Sequence, residues 1–417
     1  MALYARTFKI ATLLALLSHV SVYAEQVLPI ERAVQIALER DALINVYQSR
    51  RDAYLELSVA EDTLPDPKIK LGMMNLPTDT FEKNQEPMTQ TQIGIQQMFP
   101  RGNSLEIKSR RAISMSVAEN AKFENQRRNV IREVRETWLE LYYWLNAENV
   151  VRENRNLFSK LVSVTQQQYA AGRQKQQDVI RSELELGMLD DRELKIKTQL
   201  EITREKLEKY IGSDLKEINP ENELPEFKVV NNNNIWLEKH PMVSMENAMV
   251  QTNEQNVELA NQSYKPSWML DVTYGKRENT DAGAERADFV SAMIMFDVPL
   301  FTGKQQDKKV AASKHRLNSA LNAKEERIRS LEQMWRSNLL KEKRLTQRIK
   351  KYTELLVPKA SENVKSALYA YQSGRGSFTA LMRAQITELE TQLRALRLEV
   401  DHKKTQAQLL YLVGENK

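Results

Sequence analysis

The chain contains one structural plan twice, with the two copies about 200 residues apart. An internal repeat of this length indicates a duplicated structural unit. Later matches are three positions further apart than earlier ones, which predicts three extra residues in the long helix of the second copy. The earlier matches, 199 positions apart, are Leu38-Glu39-Arg40 with Leu237-Glu238-Lys239, Pro67 with Pro266, and Pro100 with Pro299. The later ones, 202 apart, are Tyr169-x-x-Gly172-Arg173 with Tyr371-x-x-Gly374-Arg375, and Gly212 with Gly414.

Each copy is predicted to contain two short strands set among long helices. Apolar and polar residues alternate in four short segments that are bounded by prolines, glycines or polar loops. Alternation with period two is the pattern of a strand with one apolar face. The predicted strands cover about residues 68–75 and 91–99 in the first copy, and 267–274 and 289–301 in the second.

The remainder of each copy is predicted to be helical. The stretch from Leu105 to about Ala171 contains neither proline nor glycine and carries apolar residues at helical spacing. An unbroken helix of that length would measure ~100 Å. Two shorter helices, from Leu28 to about Leu64 and from the Gly172 turn to Gly212, together match its length, so we expect them to stack end to end beside it. The second copy repeats this plan with helices at about 236–264, at 304–373 and at 377–413.

The domain organisation follows from these elements. Residues 1–24 have the basic start, short apolar run and small-residue end of a cleaved signal peptide; a membrane anchor and a core helix are the alternatives. Residues 25–212 form the first repeat, the polar segment 213–235 is a linker, and residues 236–417 form the second repeat.

Composition excludes several classes of function. The chain has no cysteine, which removes disulfides, thiolate catalysis and thiolate metal sites. Without residues 1–24, which hold two basic residues and no acid, 59 basic residues face 56 acidic ones and the formal charge is +3. This balance does not suggest nucleic-acid binding. No catalytic motif and no pair of histidines at ligand spacing is present, so we predict no enzyme, no cofactor and no metal site.

Methionines are the one feature that suggests a metal, because thioethers favour Cu(I). They occur as Met73-Met74 and as Met293 with Met295. Methionine also fills irregular apolar surfaces. We expect these residues to face lipid or core and not to bind a metal.

The four strands of one chain leave two open edges. In lipid an open edge is prohibitive, because its unpaired N–H and C=O groups find no water, and bacterial membrane barrels have at least eight strands. Strands lying in a membrane would need further copies of the chain, and three copies supply twelve strands. The alternative is a soluble four-stranded sheet packed on helices.

The chain resembles the TolC family of outer-membrane efflux channels over about residues 25–417. The resemblance rests on the duplicated plan and the Pro-x-x-Gly ends of the strands. It also rests on the Tyr-x-x-Gly-Arg turns, which precede Asp178-Val179-Ile180 in one copy and Ala380-Leu381-Met382 in the other. Pro65-Asp66-Pro67 and Met98-Phe99-Pro100-Arg101-Gly102 are most similar to the heavy-metal, CzcC-like branch. Many relatives carry a lipid on an N-terminal cysteine, and without cysteine we infer no such anchor.

The resemblance implies a homotrimer in the outer membrane that extends into the periplasm. Twelve strands would form a β-barrel and long helical hairpins an α-barrel, and solute would arrive from an inner-membrane pump through a periplasmic adaptor. The hairpin turns would form the gate and the adaptor-docking tips, with candidate residues Gly172, Arg173, Asp178, Arg181, Gly374, Arg375 and Arg383. Relatives carry acidic residues at the constriction where this chain has Ala380 and Arg383. We expect Arg383 to pair with an acid such as Glu388 or Asp178 of an adjacent hairpin.

Two other classes of function are open from the sequence. A secreted or periplasmic structural coiled-coil protein without transport activity would have no use for the strand pairs. A periplasmic adaptor would carry β-rich halves on either side of one helical hairpin, which this chain does not show.

Overall fold

The computed structural model describes residues 27–213, 219–220, 223–228, 235–280 and 282–414. The predicted signal peptide and much of the predicted linker lie outside these residues. Within the described part, no helix is both long enough and apolar enough to cross a membrane. The described chain is mainly helical with a small antiparallel sheet, as the sequence predicts.

The first repeat contains four helices, and a short parallel pairing joins its start to the linker region. In chain order its elements are β1 (Val27–Leu28), α1 (Ile30–Arg40), α2 (Ala42–Glu61), β2 (Lys68–Met74), β3 (Gln90–Phe99), α3 (Ser104–Ala170) and α4 (Gln176–Ile211). The linker strand β4 (Asn219–Pro220) pairs with β1.

The second repeat follows the same order. Its elements are α5 (Ile235–Glu238), α6 (Pro241–Gln262), β5 (Trp268–Lys276), β6 (Phe289–Phe296), α7 (Gln306–Lys351), a π-helical segment (Tyr352–Leu356), α8 (Val357–Gln372) and α9 (Phe378–Val413).

The three extra residues of the second repeat lie before its long helix, so the prediction that placed them inside it is wrong. Ser104 and Gln306 begin the two long helices and are 202 positions apart, and the ends at Ala170 and Gln372 are also 202 apart. The connection after β6 is therefore longer than the connection after β3. The predicted strand 289–301 stops at Phe296, which pairs with Trp268, the first residue of β5. Pro299 cannot donate a ladder hydrogen bond, so the strand does not extend to residue 301.

Both helices that were predicted to precede a strand pair are broken. At the first break, Asp41 accepts a hydrogen bond from the backbone N–H of Ile44 at 2.9 Å and caps α2. At the second, Nδ1 of His240 accepts from the N–H of Met242 at 3.2 Å and caps α6. The two capping residues are 199 positions apart, so the break itself belongs to the repeat.

The long helix α3 is the centre of the helical layer. Within the first repeat it packs against α2 and α4, and across the repeat boundary it packs against α6 and α9. The second long helix, α7 with α8, packs against α6 and α9. The expected column of two short helices beside one long helix is thus present in both repeats, and the helical order across the layer is α2/α4, α3, α6/α9, α7/α8.

A buried core lies at the start of the first repeat, and an ion-pair cluster nearby joins α3 to α9 of the second repeat. The indole of Trp138 is fully buried and donates to the backbone carbonyl of Leu28 at 2.8 Å. Nearby, Glu140 of α3 accepts from Arg397 at 2.7 Å and from Lys404 at 2.8 Å, both on α9. Burial acts to raise the pKa of Glu140, but these two hydrogen bonds outweigh it and leave the pKa below its usual value.

The π-helical segment has a local cause. Pro358 has no N–H, so the carbonyl of Glu354 loses its usual α-helical donor. The N–H of Val357 instead reaches back to the carbonyl of Tyr352, which is the wider π spacing. α3 has no such segment and is α-helical throughout.

His240 is a buried titratable group at the second helix break. Its ring is fully buried, edge-on to Trp236 and to Tyr411 with ring centroids 6.2 and 5.5 Å away. Burial, helped by the nearby charges of Arg128 and Arg327, lowers the pKa of His240 from 6.5 to about 3. The ring is therefore neutral in the folded protein at any pH well above 3.

His240 makes the stability of the fold depend on pH. Between pH 6.5 and about 3 the unfolded chain binds a proton at this position and the folded chain does not, so stability falls as the pH falls through this window. We expect His240→Asn, which keeps a capping side chain, to flatten this dependence in thermal unfolding followed from pH 7 to pH 4. His315→Asn, at an exposed position of α7, is the matched control. An unchanged pH slope in His240→Asn would contradict the assignment.

Candidate functional site

The first hairpin tip is a compact glycine turn between α3 and α4. Gly172 has a φ of 70°, in the left-handed region that favours glycine. The N–H of Arg173 donates to the carbonyl of Gln168 at 2.8 Å, which closes the end of α3. Two residues later Lys175 is the N-cap of α4, and Asp178 lies in the first turn of this helix, where a negative charge interacts favourably with the helix dipole.

The second tip has the same turn with a stronger start to the next helix. Gly374 has a φ of 71°, and the N–H of Arg375 donates to the carbonyl of Ala370 at 2.9 Å. Ser377 then caps α9 by accepting from the N–H of Ala380 at 3.2 Å. The glycines therefore have a structural role as helix C-caps in both copies.

One tyrosine joins the two tips. Nε2 of Gln174, at the first tip, donates to the hydroxyl of Tyr371 at 3.1 Å, and this hydroxyl donates to Oε1 of Gln168 at 3.0 Å. The ring of Tyr371 packs edge-on against buried Phe378. The matching Tyr169 of the first copy is 45% exposed. The tips therefore form one end surface, held by a contact that the sequence did not reveal.

The charged candidate residues line this end. Arg173 and Arg375 are exposed on the turns, and Arg181 and Arg383 are exposed one turn into α4 and α9. Within the described part of one chain, Arg383 forms no ion pair with Glu388 or Asp178. That Arg383 pairs with an acid on a hairpin of another copy stays a prediction.

At the opposite end of the long helices, the four longer strands form one antiparallel sheet in the order β2-β3-β5-β6. The register pairs Ile69 with Ile95, Ile95 with Val272, and Val272 with Ala292. Since side chains alternate between faces, the register fixes which residues share a face.

One face of the sheet is almost entirely apolar. Apart from Thr91, Gln97 and Lys276, it carries Ile69, Leu71, Met73, Ile93, Ile95, Phe99, Trp268, Leu270, Val272, Tyr274, Val290, Ala292, Ile294 and Phe296. Near the helices, Phe99 and Trp268 stack with centroids 3.8 Å apart, and Phe296 pairs with Trp268 in the next strand. Most of these side chains are exposed in a single chain.

The other face is largely polar. Its polar residues are Lys68, Lys70, Gln90, Gln92, Gln96, Asp271, Thr273 and Ser291. Lys70 reaches across β3 and forms an ion pair with Asp271. The side chain of Lys70 can cross β3 because residue 94 is glycine. A Cβ at this position would approach Cε of Lys70 to 3.3 Å and Oγ1 of Thr273 to 2.6 Å.

The methionines of the sheet divide between the faces. Met73 lies on the apolar face, as predicted, but Met74, Met293 and Met295 lie on the polar face. The prediction that all four face lipid or core is wrong for these three. Among the described residues, no three side chains of His, Cys, Asp or Glu come together in a way that would hold a metal ion.

Comparisons with known proteins identify the fold. No protein-family model matches the chain, and no curated protein matches it in sequence. The outer-membrane protein VceC of Vibrio cholerae is 15% identical, with a TM-score of 0.77 over 93% of this chain and 96% of that one. The outer-membrane channel CmeC of Campylobacter jejuni is 14% identical, with a TM-score of 0.79 over 92% and 85%.

The chain has the TolC-type channel fold. CusC, whose published structures concern the formation of a transmembrane channel, is also similar, at 13% identity and a TM-score of 0.77 over 93% of this chain and 92% of that one. The three structures are similar to this chain to the same degree, and the comparison does not confirm the heavy-metal branch. CmeC and CusC are described as channels, which is consistent with the predicted absence of catalysis.

The tyrosine contact between the tips is testable with a matched pair of variants. Tyr371→Phe removes the hydroxyl that binds Gln174 and Gln168, and we expect amide hydrogen exchange over residues 171–175 to become several-fold faster because loss of a net hydrogen bond costs about 1 kcal/mol. Tyr169→Phe changes the same residue type at the matching, exposed position and should leave exchange unchanged. Equal exchange in the two variants would contradict a tie between the tips.

Proposed function

We propose that this chain is the channel subunit of an outer-membrane efflux assembly, a passive duct through which solutes leave the cell. The observation that carries the proposal is a sheet with one apolar face, one largely polar face and two open edges. A barrel in lipid needs the apolar face outside, the polar face inside and both edges paired. The TolC-type fold of the described chain supports the same conclusion.

Closure of the barrel requires more than one copy. β2 and β6 each pair with one neighbour in the described chain. The helical layer follows the same order as the strands, with α2/α4 at one side and α7/α8 at the other. Leu184 and Met188 of α4 and Leu340 of α7 are exposed at these sides. Pairing β6 of one copy with β2 of the next is a head-to-tail contact, which closes into a ring. Three copies would form a twelve-stranded barrel above a helical barrel, the homotrimer implied by the resemblance.

The location follows from the two-faced sheet and the predicted signal peptide. We place the sheet in the outer membrane and the helices in the periplasm, where α3 would extend ~100 Å. The stacked Phe99 and Trp268, with Phe296 beside them, would then lie at the periplasmic boundary of the membrane, where aromatic residues form girdles in barrels of this kind. If the chain were a structural coiled-coil protein, this apolar surface of the sheet would have no function.

The hairpin tips are the proposed docking site for a periplasmic adaptor, which would connect the channel to an inner-membrane pump. The tips lie at the end of the long helices farthest from the sheet, and Tyr371 holds them together as one surface. Arg173 and Arg375 are exposed on this surface and are available to acidic or polar groups of a partner.

Opposite faces of one strand test the barrel. Ala292 and Ser291 are neighbours on β6 and face the apolar and polar sides. An arginine in the apolar face near the middle of a bilayer costs about 2–4 kcal/mol per copy, so we expect Ala292→Arg to reduce the yield of membrane-inserted, heat-modifiable trimer strongly. Ser291→Arg should assemble normally and alter only conductance in planar bilayers. A wild-type protein that is a stable monomer in aqueous buffer without detergent would refute both the barrel and its location.

Arg383 tests the gate. If it pairs with an acid of an adjacent hairpin and so holds the closed state, Arg383→Ala should raise single-channel conductance with little change in ion selectivity. Arg394 is also exposed on α9, three turns further along and on the same helical face, so Arg394→Ala is the matched control. A strong shift toward cation selectivity at unchanged conductance would instead indicate an unpaired ring of positive charge.

A further inference from the structure

Three methionines form a row across the polar face of the sheet. Met98 of β3 pairs in register with Met269 of β5, and Met269 pairs with Met295 of β6. Met293 lies two residues from Met295 on the same strand and therefore on the same face. The row lies next to the helical end of the strands, directly behind the aromatic row of Phe99, Trp268 and Phe296 on the other face.

The register brings the three thioethers within reach of one another. Residues directly opposite in an antiparallel pair have Cβ atoms roughly 4.5–5.5 Å apart. A methionine side chain is unbranched and has three rotatable bonds, so sulfurs from neighbouring strands can converge on a point above the central Met269. Met98 and Met295 are 50% and 53% exposed, so the row is open to a ligand.

Packing does not account for the position of the row. Methionine commonly fills gaps in apolar cores, but here the face is otherwise rich in lysine, glutamine, aspartate and serine. Met293 is 57% exposed and is paired in register with Asp271. The apolar face of the same sheet accommodates methionine, as Met73 of β2 shows. Four apolar thioethers grouped on the polar side therefore call for a different explanation.

The chemistry of the group favours one class of ligand. Thioethers are soft, neutral donors, which select Cu(I) among biological metals and bind hard cations such as Mg²⁺ and Ca²⁺ poorly. Ag(I) is a soft monovalent ion of the same kind. The row offers no carboxylate for a divalent ion, since Asp271 is already paired with Lys70.

We propose that Met98, Met269 and Met295, with Met293 beside them, form a binding site for a soft monovalent cation, Cu(I) or Ag(I). The role of the site as a transit point rests on the proposed function, which makes this face the inner wall of a pore. Three copies would place three such rows around the pore at one level. The proposal thus assigns soft monovalent metal ions to the solutes that the channel carries.

Silver ion is the probe of choice because it is redox-inert under these conditions. The purified, detergent-solubilised full-length protein, with its methionine methyl groups labelled with ¹³C, would be titrated with silver nitrate in chloride-free buffer. We expect the methyl resonances of Met98, Met269 and Met295 to shift together, assigned from single Met→Leu variants, and to saturate at one silver ion per chain.

Met269→Leu tests the centre of the row, and its similar volume should preserve folding. It should weaken silver binding by at least ~10–100-fold, because loss of an outer-shell partner of a metal already costs this much. Met98→Leu and Met295→Leu should each have a similar effect and provide a second test if Met269→Leu folds poorly. Met73→Leu, on the opposite face of the same sheet, is the matched control and should bind silver as the wild type does.

The outcomes separate this inference from the proposed function. Undiminished silver binding in all three row variants, or equal loss in Met73→Leu, would overturn the site. Potassium conductance in planar bilayers is measured in parallel: wild-type channels should show silver-dependent interruptions of the current that Met269→Leu lacks. Silver binding by the row in a protein without any conductance would leave the site standing and refute the channel. Normal conductance without silver binding would overturn the site and leave the channel standing.

Discussion

Unpaired backbone at the two edges of a small sheet is the constraint on which the organisation of this molecule depends. A strand edge in lipid has no water to satisfy its N–H and C=O groups, and in the described part of the chain both β2 and β6 have one edge without a partner strand. The helical layer follows the order of the strands that lead into it, so the same two sides are open along the whole length of the chain. In the proposed assembly one copy is a segment of a ring at every level, and the apolar residues exposed at its two sides, such as Leu184 and Leu340, would lie in the joints of that ring.

Much of this architecture was predictable because proline and glycine mark it in the sequence. The predictions for β2 and β3 are correct to within a residue or so because Pro67 and Pro100 bound them, and the α3–α4 hairpin is correct because Gly172 is required in a left-handed turn. Of the candidate residues at the tips, Gly172, Arg173, Gly374 and Arg375 lie on the exposed turns, and the other three lie near the start of α4 or α9. Their roles in gating and docking are still predictions, since both depend on other chains.

The remaining errors concern features that need three-dimensional partners. The pairing of Met98 with Met269 follows from the register between two strands, and the two residues are 171 positions apart, so no local pattern contains it. The tie between the tips requires Tyr371 to meet Gln168 of the other repeat. Asp41 and His240 look like ordinary residues of a continuous helix, although Pro241, directly after His240, was a signal for the second break. The length of β6 was overestimated because its apolar residues continue past Pro299, where strand pairing had already ended.

The long helices of the two repeats differ in how many of their side chains are buried within a single chain. Nineteen side chains of α3 are buried, against five in α7 and two in α8, although the two long helices contain the same number of residues. α3 has helices on both sides within its own chain, whereas α7 and α8 have helices on one side only. The π-helical segment and Pro358 weaken the hydrogen bonding of this second helix further. In the proposed ring, α3 would reach its final packing within a newly made chain, whereas α7 and α8 would gain helices on their second side only through assembly. Maturation of the subunit and formation of the complex would then be one coupled process.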